Sequence, residues 1–236
     1  HLLQTVTVDP GGLALVTTYG YDEWWSVDAV TDARGNTTTY VNDALRRRIE
    51  VIAPATMSKV KYEYDADGRV TKSETQNRDQ DNNVVTANEW LTTTYVYSVL
   101  GDLTSVTEEI GPSTTRTTSF EYDDEQRRIR VVLPEANKIK TEYDERGLVW
   151  KVTRGETSGG ASTVESLYDD NGNLVETIDG RGNSTTCTWD LFDRRTRSTD
   201  ELGHYTEWTL DKEGRATEVA RKDSGNATLL RRTSFF

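Results

Sequence analysis

Side chains that could perform nucleophilic or acid-base chemistry are few in this chain. Cys187 is the single cysteine, and His204 is the single histidine beyond the first residue. A Ser-His-Asp triad could use only His204, and zinc would find too few nitrogen and sulfur ligands. Cys187 stands at a repeated, mostly aromatic position, and His204 follows a turn glycine. We therefore expect a packed thiol, a turn residue and no enzymatic activity.

The best candidate for a metal site is the segment Asp79-Gln80-Asp81-Asn82-Asn83. Its oxygen-bearing side chains at positions one, three and five imitate a calcium-binding loop. The sixth position holds Val84 where such a loop needs Gly, and the twelfth holds Trp90 where it needs Glu. The sequence therefore predicts a solvated loop, with no metal and no cofactor.

Carboxylates are abundant, with 40 Asp and Glu against 28 Lys and Arg, which gives a net charge of −12. This charge disfavours nucleic acid and anionic membranes as partners, because both would repel the chain. Two carboxylates at glycosidase spacing could arise by chance in so acidic a sequence. Most of the aspartates, however, are accounted for by the turns of a repeated unit.

The repeated turn is clearest in residues 61–70. Tyr62 and Tyr64 are two residues apart, so an extended chain places them on one face. The Asp65 carboxylate can accept a backbone N–H two residues on, and Gly68 can adopt a positive φ. The segment therefore predicts a strand, a tight turn closed by Asp65, and a return strand that Arg69 opens.

Nine copies of this unit follow one another with a period of about 21 residues. The turn position is Ser98 in one copy and aspartate in eight: Asp22, Asp43, Asp65, Asp123, Asp144, Asp169, Asp190 and Asp211. The residue before it is aromatic in seven: Tyr21, Tyr64, Tyr97, Tyr122, Tyr143, Tyr168 and Trp189. Glycine follows three residues after the turn position in five: Gly68, Gly101, Gly147, Gly172 and Gly214. Arginine follows four residues after it in five: Arg47, Arg69, Arg127, Arg194 and Arg215.

Single positions break the pattern, and a second turn separates the hairpins. The exceptions are Asn42, Ser98, Asp102 and Leu210, which we interpret as ordinary decay of a repeat. The second turn begins at Asp32, Asp179 or Asp200 in its best copies. Each period therefore contains two strands and two turns.

This pattern closely resembles the YD-repeat, or rearrangement-hotspot (Rhs), family. The family motif is a Tyr-Asp pair, two variable residues, Gly-Arg and an apolar residue, alternating with an Asp-Pro-x-Gly-Asn turn. The resemblance covers essentially the whole chain. It implies an all-β fold of tandem hairpins stacked edge to edge into a curved or spiralling antiparallel sheet. Such a sheet is a segment of a hollow β-shell, as in bacterial Rhs and Tc-toxin shell proteins and teneurins.

Residues 1–236 are expected to form one array of about nine repeats, with roughly eighteen strands. A long loop insertion is expected at residues 77–88 and a smaller one at 155–162. The sequence has no signal peptide and no apolar run of membrane length. Because the array begins and ends within a repeat, we expect a segment of a longer protein.

Two kinds of side-chain contact are expected on this array. Asp65 and Arg69 flank one turn, and the aspartate of one copy could also meet the arginine of the next. Such half-exposed ion pairs would set the register more than the stability. Trp24 and Trp25 stand where other copies carry small or polar residues. They are the best candidates for contact with a glycan or a neighbouring chain.

Two functions remain open at this point. The first is a non-catalytic structural segment of a secreted or surface protein, forming part of a shell that encapsulates a toxin or other C-terminal domain. Its partners would be flanking repeats and the enclosed domain. The alternative is a surface-adhesion or filament-forming module that binds glycans or identical chains. The resemblance and the single cysteine favour a secreted or surface-exposed bacterial protein.

Overall fold

A computed structural model describes residues 2–8, 12–54, 59–156, 160–225 and 229–234. Within these ranges the regular structure consists of β-strands and one turn of 3-10 helix at Thr86–Asn88. The prediction of an all-β fold is confirmed. No helix in the described part of the chain is long and apolar enough to cross a membrane.

The chain divides into two compact units, His1–Ser119 and Phe120–Phe236. The strands of the first unit are β1 (Thr5–Val8), β2 (Leu15–Tyr21), β3 (Val27–Thr31), β4 (Thr37–Asn42), β5 (Arg48–Ile52), β6 (Lys59–Tyr64), β7 (Val70–Gln76), β8 (Trp90–Tyr97) and β9 (Leu103–Gly111). Each pairs antiparallel with the next. Strand β10 (Thr114–Tyr122) contains the boundary, and its residues 114–119 pair with β9.

The second unit repeats the same arrangement. Its strands are β11 (Arg128–Val132), β12 (Lys138–Tyr143), β13 (Val149–Arg154), β14 (Ser162–Tyr168), β15 (Leu174–Ile178), β16 (Ser184–Trp189), β17 (Arg195–Thr199), β18 (Tyr205–Leu210), β19 (Ala216–Lys222) and β20 (Leu229–Ser234). Consecutive strands from β11 to β20 pair antiparallel. Within each unit, the predicted edge-to-edge stacking of hairpins is therefore confirmed. That the two units form one array stays a prediction.

The Tyr-Asp hairpins share one turn geometry. In the β6–β7 hairpin the Gly68 N–H donates to the Asp65 carbonyl at 3.2 Å, and the Asp65 N–H donates to the Arg69 carbonyl at 3.0 Å. Gly68 has a φ of 84°. This is a type I turn followed by a left-handed residue, which leaves a bulge beside the turn. The register shifts by one residue farther along the strands, where Tyr64 pairs with Val70 and Glu63 pairs with Lys72.

Neither unit has a thick hydrophobic interior. Among the residues whose burial is described, only Gln76, Tyr205 and Ala220 are buried. Strand pairing and side-chain contacts between neighbouring hairpins must therefore supply most of the cohesion, as in repeat proteins generally.

The insertion at residues 77–88 contains more regular structure than the sequence predicts. Arg78 and Val84 form an isolated β-bridge, and Thr86–Asn88 form the 3-10 turn. The buried Gln76 beside it binds Arg78 and Glu89 through its side-chain amide, at 3.1 and 3.3 Å. The insertion is thus tied to the end of strand β7.

Replacing residues 78–88 with Asn-Gly is expected to preserve the fold. The Asn77 N–H donates to the Glu89 carbonyl at 2.7 Å, so a two-residue turn closed by Asn77 and Glu89 can join strands β7 and β8. The melting temperature should fall by about 2–4 °C, because Gln76 loses its hydrogen bond to Arg78, a loss of about 1 kcal/mol. Circular dichroism would check this, and disappearance of the β-type spectrum would show that the insertion is structurally essential.

The smaller insertion is only partly described, because residues 157–159 lie outside the described ranges. Its first residues are anchored to the sheet. The Gly155 N–H donates to the Lys138 carbonyl at 2.8 Å, and the Arg130 Nε donates to Glu156 at 2.9 Å.

Candidate functional site

The Tyr-Asp turns form the repeated polar feature of the molecule. One carboxylate oxygen of the turn aspartate accepts the backbone N–H groups two and four residues later. At Asp22 these N–H groups belong to Trp24, at 2.9 Å, and Ser26, at 2.8 Å. Because the same side chain satisfies two donors of its own turn, it holds the turn closed.

The arginine four residues after the aspartate binds the carboxylate of its own turn. The Arg69 Nε donates to Asp65 Oδ2 at 2.7 Å. The same pairing occurs in four other turns, through Arg47, Arg127, Arg194 and Arg215. The alternative expectation, in which this arginine pairs with the carboxylate of another copy, is wrong for these turns, because the bulge brings the two side chains of one turn together.

Contact with the next copy is made to the backbone instead. The Arg47 Nη1 donates to the Asp65 carbonyl at 3.0 Å, and the Arg194 Nη1 donates to the Asp211 carbonyl at 2.8 Å. One guanidinium therefore closes its own turn and binds the following one.

These contacts lower the pKa values of the turn carboxyl groups. The Arg215 side chain, followed by the Arg215 N–H, lowers the pKa of Asp211. The Asn173 N–H is the main cause at Asp169, where the pKa is also lowered. At Asp65 partial burial raises the pKa, but the N–H and guanidinium of Arg69 outweigh it, and the net pKa falls. Carboxyl groups of this kind are ionised acceptors at neutral pH and are poorly suited to donate protons.

The aromatic residue before the aspartate ties its hairpin to the preceding one. The Tyr64 hydroxyl donates to the Arg48 carbonyl at 2.6 Å, and the Arg47 guanidinium carbon lies 4.8 Å from the Tyr64 ring centroid. The hydroxyls of three other residues make the same contact: Tyr97, Tyr143 and Tyr168. In each case the acceptor lies five residues after the turn aspartate of the preceding hairpin. A hydrogen bond and a cation–π contact thus join these two successive repeats.

Two departures from tyrosine preserve this link. The Trp189 Nε1 donates to the Leu174 carbonyl at 2.9 Å, and the Asn42 Nδ2 donates to the Val27 carbonyl at 3.3 Å. Asn42 therefore keeps the donor while losing the ring, so its description as ordinary decay is wrong.

Other departures also conserve the contacts of the turn. Ser98 Oγ accepts the N–H groups of Leu100 and Asp102, at 3.2 and 3.1 Å, and donates to Asp102 Oδ2 at 3.2 Å. In this turn the hydroxyl of Ser98 takes the usual position of the carboxylate, and the carboxylate of Asp102 stands four residues later. The hydrogen bonds between them explain why these two departures occur in the same turn.

The turn at Asp144 uses a different arginine. Position four after the aspartate is Leu148, and Arg146 takes over its role from position two. The Arg146 Nε donates to Asp144 Oδ2 at 3.2 Å, and its Nη1 donates to the Asp169 carbonyl at 2.6 Å. The link to the next turn survives although the motif does not.

Tyr64→Phe is expected to destabilise the protein by about 1 kcal/mol, because it removes the hydrogen bond to the Arg48 carbonyl and keeps the ring. The melting temperature should fall by about 2–4 °C. Tyr62→Phe is the matched control on the same strand and should change it less. An equal effect of the two substitutions in thermal denaturation would contradict a specific role for the Tyr64 hydroxyl.

The calcium-loop candidate is a further copy of the second turn. Asp79 Oδ1 accepts the N–H groups of Asp81 and Asn83, at 3.0 and 2.8 Å, and Asn83 Nδ2 donates to Asp79 Oδ2 at 3.4 Å. Asp32 makes the equivalent contacts with Asn36. The sequence signal for this turn is the asparagine four residues after the aspartate, which Asn83 shares with Asn36. In the described ranges no group of three or more His, Cys, Asp or Glu side chains could hold a metal ion.

Cys187 and His204 occupy ordinary structural positions. The half-buried Cys187 thiol donates a weak hydrogen bond to Ser198 Oγ at 3.8 Å. The backbone N–H of His204 donates to Asp200 Oδ1 at 2.8 Å, so this histidine helps to close a copy of the second turn, which separates the hairpins.

Trp24 and Trp25 lie at the tip of the first turn, with exposed fractions of 59% and 70%. Trp25 has a φ of 66°, at the position where five copies carry glycine. It lines a cavity of about 800 Å³ together with Tyr19 and Tyr21. Their predicted role in binding a partner stays a prediction.

Comparison with known proteins identifies the repeat. Residues 168–204 match the model of the RHS Repeat family, which confirms the resemblance seen in the sequence. The matched segment contains the turns at Asp169, Asp179 and Asp190. No curated protein sequence matches the chain.

Three solved structures share the fold. The crystal structure of TcdB2-TccC3 without its hypervariable C-terminal region has a TM-score of 0.66 at 14% identity, covering 94% of this chain and 13% of that one. TcdB2-TccC3 has a TM-score of 0.65 at 13% identity, with coverages of 94% and 14%. TcdB2-TccC3-TEV has a TM-score of 0.61 at 14% identity, with coverages of 93% and 13%. The present chain therefore spans only a small part of the length of these proteins.

Proposed function

We propose that this chain is a non-catalytic structural segment of a β-shell that encloses a toxin or other domain of the same longer protein. The observation that carries the proposal is the link between successive hairpins. The side-chain tips of the aromatic residues and arginines bind the backbone of the neighbouring repeat. Polar groups that join neighbouring hairpins in this way extend the sheet, and few of them remain to bind or react with a substrate.

The similarity in fold to TcdB2-TccC3 supports the same function. One of those structures is of TcdB2-TccC3 without its hypervariable C-terminal region, so that protein has such a region. By analogy, the partners of this chain are flanking repeats and an enclosed domain, and the protein is bacterial and secreted or displayed on the cell surface.

Electron microscopy of the full-length protein that contains this chain would test the proposal. A closed cavity with internal density is the expected result. The enclosed domain should also resist limited proteolysis until the shell is denatured. An open structure whose C-terminal domain is cleaved at the rate of an unprotected domain would overturn the proposal.

A surface-adhesion or filament module is the second candidate, favoured by the exposed Trp24 and Trp25. Paired exposed indoles suit contact with a sugar or another polypeptide. End-to-end fibres, or glycan binding that Trp24→Ala and Trp25→Ala abolish, would support this alternative.

A further inference from the structure

The turn at Asp211 lacks the side-chain link that is described at seven other turns. Seven described positions immediately before a turn aspartate, or before Ser98, place a side-chain donor on a backbone carbonyl: Tyr21, Asn42, Tyr64, Tyr97, Tyr143, Tyr168 and Trp189. The equivalent residue here is Leu210, which has no donor and no ring. Leu210 stands at the sequence position of the linking residue, but its side chain cannot donate a hydrogen bond.

Space remains around Leu210. A cavity of about 510 Å³ is lined by Phe192, Arg194, Leu210 and residues 211–214. A second cavity of about 580 Å³ is also lined by Arg194 and Leu210, together with Trp208. Both volumes fall in the range of small-ligand pockets, about 300–1,000 Å³.

The arginine that would cover a ring is already in place. Arg194 keeps its hydrogen bonds to Asp190 Oδ2, at 2.7 Å, and to the Asp211 carbonyl, at 2.8 Å. The corresponding arginines of three other turns lie 4.8–5.0 Å from the tyrosine ring of the next turn. The guanidinium carbon of Arg194 instead lies 5.3 Å from the ring centroid of the exposed Phe192, in its own turn.

We propose that the cavity of about 510 Å³ beside Leu210 binds a tyrosine side chain of a partner polypeptide. The partner's ring would contact the Arg194 guanidinium, as Tyr64 contacts Arg47. The ligand class follows from the ring that the chain itself places at the equivalent position of other repeats. This inference holds whether or not the protein forms a shell.

A nuclear magnetic resonance titration of the 236-residue chain with N-acetyl-L-tyrosinamide tests the proposal. Saturable shifts are expected at the amides of Phe192, Arg194 and Gly214. N-acetyl-L-leucinamide, which has no ring, should bind at least tenfold more weakly. Absence of saturable shifts, or equal binding of the two probes, would overturn the proposal.

Leu210→Tyr should fill the site from within the chain, raise the melting temperature and weaken binding of the probe at least tenfold. Leu167→Tyr is the matched control on strand β14, with a half-exposed leucine outside the cavity, and should leave binding unchanged. If Leu210→Tyr does not fold, Leu210→Phe provides a second ring that blocks the site. Undiminished binding in a folded variant with a ring at position 210 would refute the proposed location.

Discussion

Acidification from pH 5 to pH 2.5 is expected to unfold the protein, whereas its stability should change little between pH 7 and pH 5. Eleven turn aspartates of the described residues have lowered pKa values: Asp22, Asp32, Asp43, Asp65, Asp79, Asp123, Asp144, Asp169, Asp179, Asp190 and Asp211. A carboxyl group whose pKa is lower in the folded state contributes stability above the ordinary aspartate pKa of 3.8. That stability is lost as the pH falls through the folded value. The losses add up because the same contacts occur in turn after turn.

Circular dichroism melting curves at pH 7, 5, 4, 3 and 2.5 would measure this dependence. Below the isoelectric point of about 4.7 the chain also becomes increasingly positive, and the resulting charge repulsion destabilises it in the same direction. A variant with Asn at positions 65, 123, 190 and 211 separates the two effects. It keeps oxygen acceptors in the turns but cannot titrate there, so its melting temperature should fall less on acidification. A melting temperature that is constant or rises from pH 5 to pH 2.5 would contradict the prediction.

Gly68→Val is expected to destabilise the protein by about 2 kcal/mol, because a β-branched residue is strained at positive φ. Gly68 has a φ of 84°, and a Cβ there would meet no atom within 4 Å. The loss therefore comes from the backbone and not from a clash. The melting temperature should fall by about 4–8 °C.

Two other substitutions make this prediction specific. Ala66→Val changes an exposed residue of the same turn without a positive φ and should have little effect. Gln126→Gly should raise the melting temperature, because Gln126 occupies the equivalent position of another turn with a φ of 63°. Equal melting temperatures for Gly68→Val and Ala66→Val would disprove the conformational explanation.

Contacts within one turn were largely predictable from the sequence. The aspartate, the glycine and the arginine of a turn lie within five residues of one another, as Asp65, Gly68 and Arg69 do. At such short separations, the residue types and their spacing nearly determine which hydrogen bonds can form. The asparagine four residues after Asp79 belongs to the same kind of signal.

Contacts between hairpins were not predictable in this way. Tyr64 and its acceptor Arg48 are 16 residues apart, and Tyr97 and Val70 are 27 apart. Their meeting depends on the register of the intervening strands and on the bulge, neither of which appears in the spacing of the motif. For the same reason, Asn42 looked like decay although its side chain bridges two hairpins.

The amino-acid sequence alone determined the period, the all-β class and the chemistry of each turn, because all of these depend on residues close together in the chain. The tertiary structure alone decided which atoms join one hairpin to the next. It also showed that Leu210 and Arg194 line a cavity. The space around Leu210 depends on how two neighbouring hairpins pack against each other, so it can be seen only in the folded chain.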